Sequence, residues 1–401
     1  MGPAAENSFL ASRAARVTLV MSCLYTASGV TLVFLPRWLE VERHLSGAEI
    51  GAVLSLAQLA RIVTGPAIAS WADGVADRRR PLRILSLLAI ATYGAFFFIA
   101  SGFWQLLGVG FLALSLSAAM TPLIEAATLR ATAEGKLSYG VARSIGSIAF
   151  IVANVAGGLL VARFGVGAAV VWILGSLASV AASSWLAMRP DPPPPAVGAA
   201  GAGRNRILAL LRRRRFVVTI LACGLIQSAH AFYYGFSTLV WRGQGVGADI
   251  VGLLWAFGVV AEVIFLWCLP LIERRFAPEA LIIAGAAGAV IRWSVMGFAP
   301  TGWILWPLQA LHLLSFAAAH IGAMRLIFRE APETSAATAQ TLYSGMSAGL
   351  LMGLATLASG TLYDAAGAQG YWAMALLAAA GGCLALLLLD APPRTPAATP
   401  H

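Results

Sequence analysis

The stretch IVGLLWAFGVVAEVIFLW, residues 250–267, is an apolar run of 18 residues with one ionisable side chain, Glu262. A run of this length predicts a helix that spans a membrane. A carboxylate inside such a helix costs several kcal/mol unless it has a partner, a water-filled cavity or a proton. The rest of the chain is therefore expected to supply a partner and a use for Glu262.

The whole chain has the composition of a polytopic membrane protein. Of its 401 residues, 59% are hydrophobic and 11% are charged, which is too little charge to cover the surface of a soluble domain. The four cysteines lie in apolar segments without paired spacing, so we expect neither a disulfide framework nor a metal site. The first apolar run is too long for the core of a cleaved signal peptide, and we predict that it is a membrane span.

Twelve apolar segments are each long enough to cross a bilayer, and none alternates as the strands of a transmembrane β-barrel do. We call them spans 1 to 12. Their predicted boundaries are 14–36, 48–71, 82–101, 104–128, 139–162, 166–188, 216–240, 248–270, 279–298, 301–324, 336–362 and 370–389. The sequence therefore predicts an all-α membrane protein.

The basic residues collect on one side of the predicted membrane. With the N-terminus placed inside, 20 of the 27 lysines and arginines fall in inner loops or tails and four fall outside; Arg61, Arg143 and Arg292 lie within spans. This bias predicts a multi-pass protein of the inner membrane with both termini in the cytoplasm. The net charge of +10 is then a consequence of topology, and no nucleic-acid partner is expected.

The chain is predicted to consist of two pseudo-symmetric six-helix bundles. Residues 1–188 and 216–390 form the bundles, the Pro/Ala/Gly-rich segment 189–215 is a cytoplasmic linker, and 391–401 is a cytoplasmic tail. The sequence GAEI at the start of span 2 returns 200 residues later as GADI at the start of span 8, which indicates a repeat. Glu49 and Asp249 in these segments are expected to stabilise helix N-termini.

One pair of charges is predicted between spans 4 and 5. Glu125 lies nine residues before the loop centre near residue 134, and Arg143 lies nine residues after it. Adjacent antiparallel spans would place both side chains at similar depth, so we expect them to meet and to bind substrate. The alternative is an ion pair that only fixes helix packing.

A second group is predicted around Glu262. Arg292 lies at comparable depth on span 9, and His320 on span 10 is expected to join them, so that the group exchanges a proton. The alternative is a packing network. His312 lies eight residues from His320, about 80° away around a regular α-helix, and receives a lesser role. The sequence is consistent with two locations for the Arg61 side chain. It either lines the interface between the two halves or pairs with a carboxylate near the inner surface.

Span 7 carries His230, Tyr233 and Tyr234, whose polar-tipped rings are predicted to line a ligand cavity. A packing or lipid-facing stripe is the alternative. No nucleophile elbow, phosphate loop, HExxH or CxxC occurs in the sequence, so we expect no enzyme activity, no catalytic residues and no cofactor.

The sequence ASWADGVADRRR at 69–80, together with the twelve spans and central linker, resembles the major facilitator superfamily and its signature between helices 2 and 3. The family usually has a glycine where Ala69 stands. The resemblance implies gating roles for Asp73, Asp77, Arg78, Arg79 and Arg80.

Other stretches are similar to the phenylpropionate-permease-like branch, which is allied to lactose permeases and nucleoside:proton symporters. They are YGVARSIGSIAF at 139–150, AFYYGFSTLVWRGQGVGADIVGLLWAFGVVAEV at 231–263, LQALHLLSFAAAHIGAM at 308–324, and the pattern QTLYSGMSAGLLMG…GTLYD within 340–364.

The resemblance implies proton-driven uptake by alternating access. Glu125 and Arg143 match the substrate-binding Glu and Arg of the lactose permeases, and Glu262, Arg292 and His320 match their proton-coupling residues. Those permeases carry a further carboxylate one turn after the histidine, where this chain has Ala323 and Met324. Glu262 is therefore the expected proton carrier.

We expect a monomeric secondary transporter that moves protons and a small organic solute, favouring an aromatic carboxylate because an arginine in the cavity suits an anion. A sugar or nucleoside proton symporter is the runner-up. A membrane receptor that does not transport is the alternative from another class.

Overall fold

All regular secondary structure in the described part of the chain is helical, as the long, non-alternating apolar runs predicted. The computed structural model describes residues 12–75, 77, 79–133, 137–188, 203–332 and 335–389.

The N-terminal half consists of six unbroken helices joined by short loops. Spans 1 to 6 are Arg13–Arg43, Gly47–Asp73, Arg79–Phe98, Phe103–Ala133, Tyr139–Phe164 and Gly167–Leu186. Span 2 starts with a capping box: the Glu49 amide donates to the Ser46 hydroxyl, and the Glu49 carboxylate accepts from the Ser46 amide. Glu49 thus has the structural role predicted for it.

The C-terminal half also contains six spans, several of them broken. Span 7 is Arg214–Ser228 and Ala231–Gly243; span 8 is Ala248–Trp267 with the continuation Leu269–Arg275; span 9 is Pro278–Met296; span 10 is Gly302–Ile304, Leu305–Ala310, Leu313–Ala318 and Ala319–Glu330; span 11 is Ala336–Ser344, Gly345–Leu351 and Met352–Ala366; span 12 is Gly370–Leu386. Leu313–Ala318 and Gly345–Leu351 are π-helical turns, a geometry that is frequent at functional sites.

Eleven helical runs among the described residues are long and apolar enough to cross a membrane. The last, Thr338–Leu386, has 49 residues and as one straight rod would measure about 73 Å, more than twice the ~30 Å hydrocarbon core. It turns back at Gly367, whose φ of 54° lies in the left-handed region that favours glycine. The run therefore supplies spans 11 and 12, and the twelve predicted spans are confirmed.

Part of the predicted linker is helical: Gly203–Leu211 forms a short helix, and span 7 starts at Arg214. Residues 189–202 and the predicted tail 391–401 lie outside the described residues.

The two halves meet at one end of the molecule. We call the face with the loops after spans 2, 4, 6, 8 and 10 the basic face, and the other the opposite face. Span 2 packs along span 11, and span 5 along span 8. Near the opposite face these contacts are backbone to backbone: a Cβ on Gly252 would lie 2.2 Å from the Asn154 carbonyl oxygen, and one on Gly360 would lie 2.3 Å from that of Gly47. Only glycine permits such an approach.

Polar contacts add to this closure. The Asp364 carboxylate of span 11 accepts from the backbone amides of Gly47 and Ala48 at 2.7 and 2.8 Å, so it caps span 2 across the interface. Toward the basic face span 2 is largely exposed from residue 61 to residue 71. The space between the halves is therefore closed at the opposite face and open at the basic face.

Candidate functional site

A central cavity of about 180 Å³ lies between the halves. Spans 1, 2, 4, 7 and 11 all contribute to its wall, which is mostly apolar and includes Gln58, Arg61, Tyr234 and Thr356. A groove of about 200 Å³ between spans 2 and 4 adjoins it at Arg61. A larger groove of about 850 Å³ along spans 1, 5 and 6 has no Asp, Glu, Lys or Arg in its lining. We therefore place the candidate site in the central cavity.

Glu125 and Arg143 lie beside each other, as the depth estimate predicted. Their Oε1 and Nε atoms are 3.9 Å apart, and the side chains are 38% and 36% exposed. The Tyr25 hydroxyl donates to Glu125 Oε1 at 3.1 Å, and the Arg143 guanidinium lies 4.8 Å from the Tyr25 ring centroid while donating to Ser147 Oγ at 2.9 Å. Tyr25 is a partner that the spacing argument did not find.

Arg292 is fully buried in the C-terminal half. Its guanidinium donates to Gln309 Oε1 at 2.7 Å and to Ser315 Oγ at 3.3 Å, and lies 3.0 Å from His312 Nδ1. It also lies 4.6 Å from the Tyr233 ring centroid. These contacts pair both terminal nitrogens of a buried cation, whereas its Nε has no hydrogen-bond partner among the described residues.

His312, and not His320, lies against Glu262. His312 Nε2 is 3.6 Å from Glu262 Oε2, and the predicted direct contacts of Glu262 with Arg292 and His320 are not among its ion pairs or hydrogen bonds. Because a guanidinium only donates, His312 Nδ1 accepts from Arg292, and the ring proton is assigned to Nε2, facing Glu262. Arg292, His312 and Glu262 thus form a chain across spans 9, 10 and 8.

The π-helical turn at Leu313–Ala318 explains why His312, and not the predicted His320, lies against Glu262. The angle predicted between His312 and His320 assumed a regular α-helix, whereas an i→i+5 turn underwinds the helix between them. The rings of His312, Phe316 and His320 instead stack, with centroid separations of 5.0 and 6.1 Å and interplanar angles of 9° and 11°. His320 forms the far end of that stack and lies beside Tyr343.

The predicted aromatic group of span 7 is divided: His230 lies at the helix break, and Tyr233 and Tyr234 follow it in one helix, where successive side chains point about 100° apart. Tyr234 lines the central cavity. His230 is fully buried and Tyr233 is 3% exposed; His230 Nε2 lies 3.1 Å from Ser315 Oγ, and Tyr233 stacks on Trp255 at 4.4 Å. His230 and Tyr233 therefore pack behind the wall, around Arg292, and do not line the cavity in this structure.

Arg61, whose place the sequence left open, faces the central cavity and the adjoining groove. Gln58, one turn away, accepts a hydrogen bond from Thr356 of the other half at 3.2 Å. Arg61 is therefore close to the interface of the halves.

The predicted gating residues lie at the end of span 2 and the start of span 3. Asp77 pairs with Arg79, Nη2 to Oδ2 being 2.8 Å, and hydrogen bonds from Arg79 lower the pKa of Asp77. Asp73 lines the groove beside span 4, Arg80 is exposed, and Arg78 lies outside the described residues. No group of three His, Cys, Asp or Glu side chains in the described ranges could hold a metal ion.

The chain is similar to known proteins over nearly its whole length. The profile of the MFS_1 like family matches residues 16–374. The chain is 31% identical over 354 residues to the probable 3-phenylpropionic acid transporter of Escherichia coli, covering 87% of this chain and 91% of that protein. It is 27% identical to the maltose permease of Geobacillus stearothermophilus, covering 93% of each.

The fold also matches solved transporters. The crystal structure of the nucleoside transporter NupG superposes with a TM-score of 0.79 over 94% of this chain and 99% of that one, at 14% identity. At this identity the match concerns the fold alone.

Proposed function

The chain belongs to the MFS_1 like family and is a multi-pass membrane transporter, and we propose that it is an inner-membrane proton symporter for an aromatic monocarboxylate of the phenylpropionate type. The observation that carries proton coupling is the chain Arg292–His312–Glu262, which places a carboxylate of an apolar span against a neutral imidazole. The substrate class is supported by the phenylpropionic acid transporter among the relatives and by the apolar lining of the cavity.

The proposed orientation of the protein in the membrane follows from the distribution of its arginines between the two faces. We place the basic face in the cytoplasm, because arginine-rich loops stay on that side. The closed opposite face is then the outer one, and the structure represents an inward-facing state of alternating access. Within this state Asp73, Asp77, Arg79 and Arg80 are positioned to regulate closure of the cytoplasmic opening, and we propose the same role for Arg78.

Glu262 is the proposed proton carrier. A second proton on His312 would have to sit on Nδ1, facing the Arg292 donor, so the ring stays neutral and Glu262 takes the proton. With its side chain 20% exposed, Glu262 can release that proton toward the cytoplasm. We assign His320, at the end of the ring stack, to support of His312, although the sequence favoured it for coupling.

The N-terminal half is proposed to hold the substrate. Tyr234 supplies an aromatic face to the central cavity from the other half. Glu125 and Arg143 lie outside the lining of that cavity in this structure and form a partly exposed pair in the N-terminal half, and we propose that they contact the substrate. His230 and Tyr233 act indirectly, by holding Arg292 and Ser315. We propose a working monomer and no nucleic-acid partner.

Glu125→Gln is expected to raise the KM for substrate by about 10-fold, because it removes the carboxylate that positions the Arg143 guanidinium. Thermal stability should change little, since an exposed pair 3.9 Å apart contributes at most about 1 kcal/mol. Tyr25→Phe, which removes only the donor to Glu125, should give a smaller effect. Initial uptake rates against concentration measure both; an unchanged KM in Glu125→Gln would show that the pair only fixes packing.

Uptake into energised vesicles tests the proposal. An imposed pH gradient with an alkaline interior should drive uptake of labelled 3-phenylpropionate at a higher initial rate in vesicles with the protein than in vesicles without it, where only the neutral acid permeates. If one proton accompanies each anion, the step is electroneutral and an imposed membrane potential should add nothing. No pH-driven uptake of any solute in a panel with maltose and uridine would reject the symport proposal.

A sugar proton symporter is the second candidate. Maltose and melibiose permeases are among the relatives, and Glu125 with Arg143 offers groups that hydrogen-bond hydroxyls. Maltose uptake that responds to both the pH gradient and the potential would favour it, since a neutral solute with a proton moves charge. Binding without counterflow, and indifference to Glu262→Gln, would instead favour a receptor that does not transport.

A further inference from the structure

Arg61 is the charged side chain that the central cavity presents to a ligand. Of the described residues that line the cavity, it alone carries a formal charge. It makes no hydrogen bond and no ion pair within 4 Å to another described residue. We propose that Arg61 binds the substrate carboxylate and selects anions over neutral solutes. The inference rests on the proposed function, because it names how that substrate class is recognised.

The other two arginines within spans are committed to protein groups. Arg143 has the Glu125 carboxylate, Ser147 and the Tyr25 ring as partners. Arg292 is fully buried and donates to Gln309 and Ser315. A ligand that took either arginine would have to displace these partners, whereas Arg61 is free to meet an incoming carboxylate.

The other charged groups within the spans also support binding of a carboxylate by Arg61. Three arginines and two glutamates lie deep in the spans. Glu125, the carboxylate whose charge acts on Arg61, is also the partner of Arg143, so two guanidinium groups share it. Asp73 is on the same helix as Arg61 but 12 residues further, about 18 Å along the axis. A substrate carboxylate would give Arg61 a partner of its own.

The shape of the cavity orients such a ligand. Leu54 lies seven residues before Arg61 on span 2, about 10 Å nearer the closed face, among Leu32, Leu35 and Leu114. An aromatic ring fits this apolar end, with Tyr234 as a facing ring. The carboxylate of the ligand then points back to Arg61, whose planar guanidinium can form two parallel hydrogen bonds with it.

A neutral sugar that filled the cavity would exclude water from this cation without supplying a counter-charge, and removing water from an unpaired charge is costly. The same side chain therefore favours the acid and disfavours neutral solutes. Specificity of this kind is a difference of affinities, so the test must compare ligands that differ only in the head group.

Equilibrium binding to the purified full-length protein provides that comparison. The probes are 3-phenylpropionate, 3-phenylpropionamide and 3-phenylpropylamine, which share ring and chain and differ in head-group charge. Wild type should bind the acid about 10- to 100-fold more tightly than the amide, the range of a charge-assisted hydrogen-bonded pair.

Arg61→Gln should reduce acid affinity to that of the amide and leave amide affinity unchanged. Arg61→Glu should shift the preference to the amine. Arg61→Lys should retain part of the preference for the acid over the amide, since lysine keeps the positive charge but lacks the planar guanidinium that pairs with both carboxylate oxygens. Arg274→Gln, the same loss of charge at an exposed position outside the cavity, is the matched control and should keep the wild-type ratio.

The outcomes of these binding measurements distinguish the assignment of Arg61 from the proposed transport of a carboxylate. If wild type prefers the acid and Arg61→Gln keeps that preference, the assignment of Arg61 is overturned while carboxylate transport stands. If wild type binds no acid, or prefers the amide, the proposed function and the assignment both fail. If thermal unfolding shows that Arg61→Gln does not fold, Arg61→Lys decides: a several-fold loss of acid affinity supports the assignment, and a wild-type affinity overturns it.

Discussion

Glu262→Gln is expected to abolish accumulation driven by a pH gradient while leaving exchange of substrate across the membrane intact. A gradient of about two pH units is worth about 2.7 kcal/mol per proton, enough for about 100-fold accumulation when one proton accompanies each substrate. Glutamine keeps the size of the side chain next to His312 and cannot take up a proton. The initial rate of uptake driven by the pH gradient should therefore fall to that of vesicles without the protein.

Two assays separate coupling from binding. Uptake into vesicles with an imposed pH gradient measures accumulation, and counterflow from preloaded vesicles measures exchange. Glu273→Gln makes the same change on the continuation of span 8, at a side chain that is 40% exposed and paired with Arg325, and should behave as wild type. Accumulation by Glu262→Gln at the wild-type level would remove Glu262 from the proton pathway.

Gly252→Leu is expected to prevent closure of the opposite face and so to shift the protein out of the inward-facing state. A Cβ there would lie 2.2 Å from the Asn154 carbonyl oxygen of span 5 and 3.2 Å from the Cα of Gly158, and backbone cannot move aside as a flexible side chain can. Overpacking of about 1–3 kcal/mol or more corresponds to a population shift of about 5- to 150-fold. Transport should fall accordingly.

Spin labels at His44 and Gln244, in opposite-face loops of the two halves, can report this shift once the native cysteines have been replaced. Their separation should increase in Gly252→Leu. The matched control is Gly94→Leu, because nothing lies within 4 Å of a Cβ at Gly94. An unchanged separation together with normal uptake would show that this contact does not close the protein.

The spans were predictable because their signals are local. Apolar runs of membrane length indicate helices wherever they occur, and the distribution of arginines predicts which loops share a face. The depth estimate for Glu125 and Arg143 also succeeded, because spans 4 and 5 are consecutive, regular and antiparallel. Equal distance from the intervening loop then means equal depth.

The C-terminal site was less predictable because its helices are irregular. The estimate for His312 and His320 assumed uniform α-helix, and the π turn between them changes which side chains align. In span 7, Tyr233 and Tyr234 are consecutive in one helix, and of the two it is Tyr234 that lies in the cavity wall, because successive side chains point about 100° apart. Nothing in the residue pattern of these segments marks the change of helical geometry.

Arg61 shows a further limit. The sequence left its surroundings open between two expectations, since the residues that enclose it depend on the packing of spans 1, 4, 7 and 11 around span 2. The Ser46–Glu49 capping box was local and predictable, whereas the Asp364 cap on the same helix comes from residues more than 300 positions away and required the fold.

Proton flux in sealed proteoliposomes tests the coupling claim most directly. Addition of 3-phenylpropionate outside wild-type proteoliposomes should make the interior more acidic, at a rate that exceeds permeation of the neutral acid through protein-free liposomes. Glu262→Gln should show only the protein-free rate. Wild-type uptake of labelled 3-phenylpropionate with no proton movement above that background would contradict proton symport by Glu262.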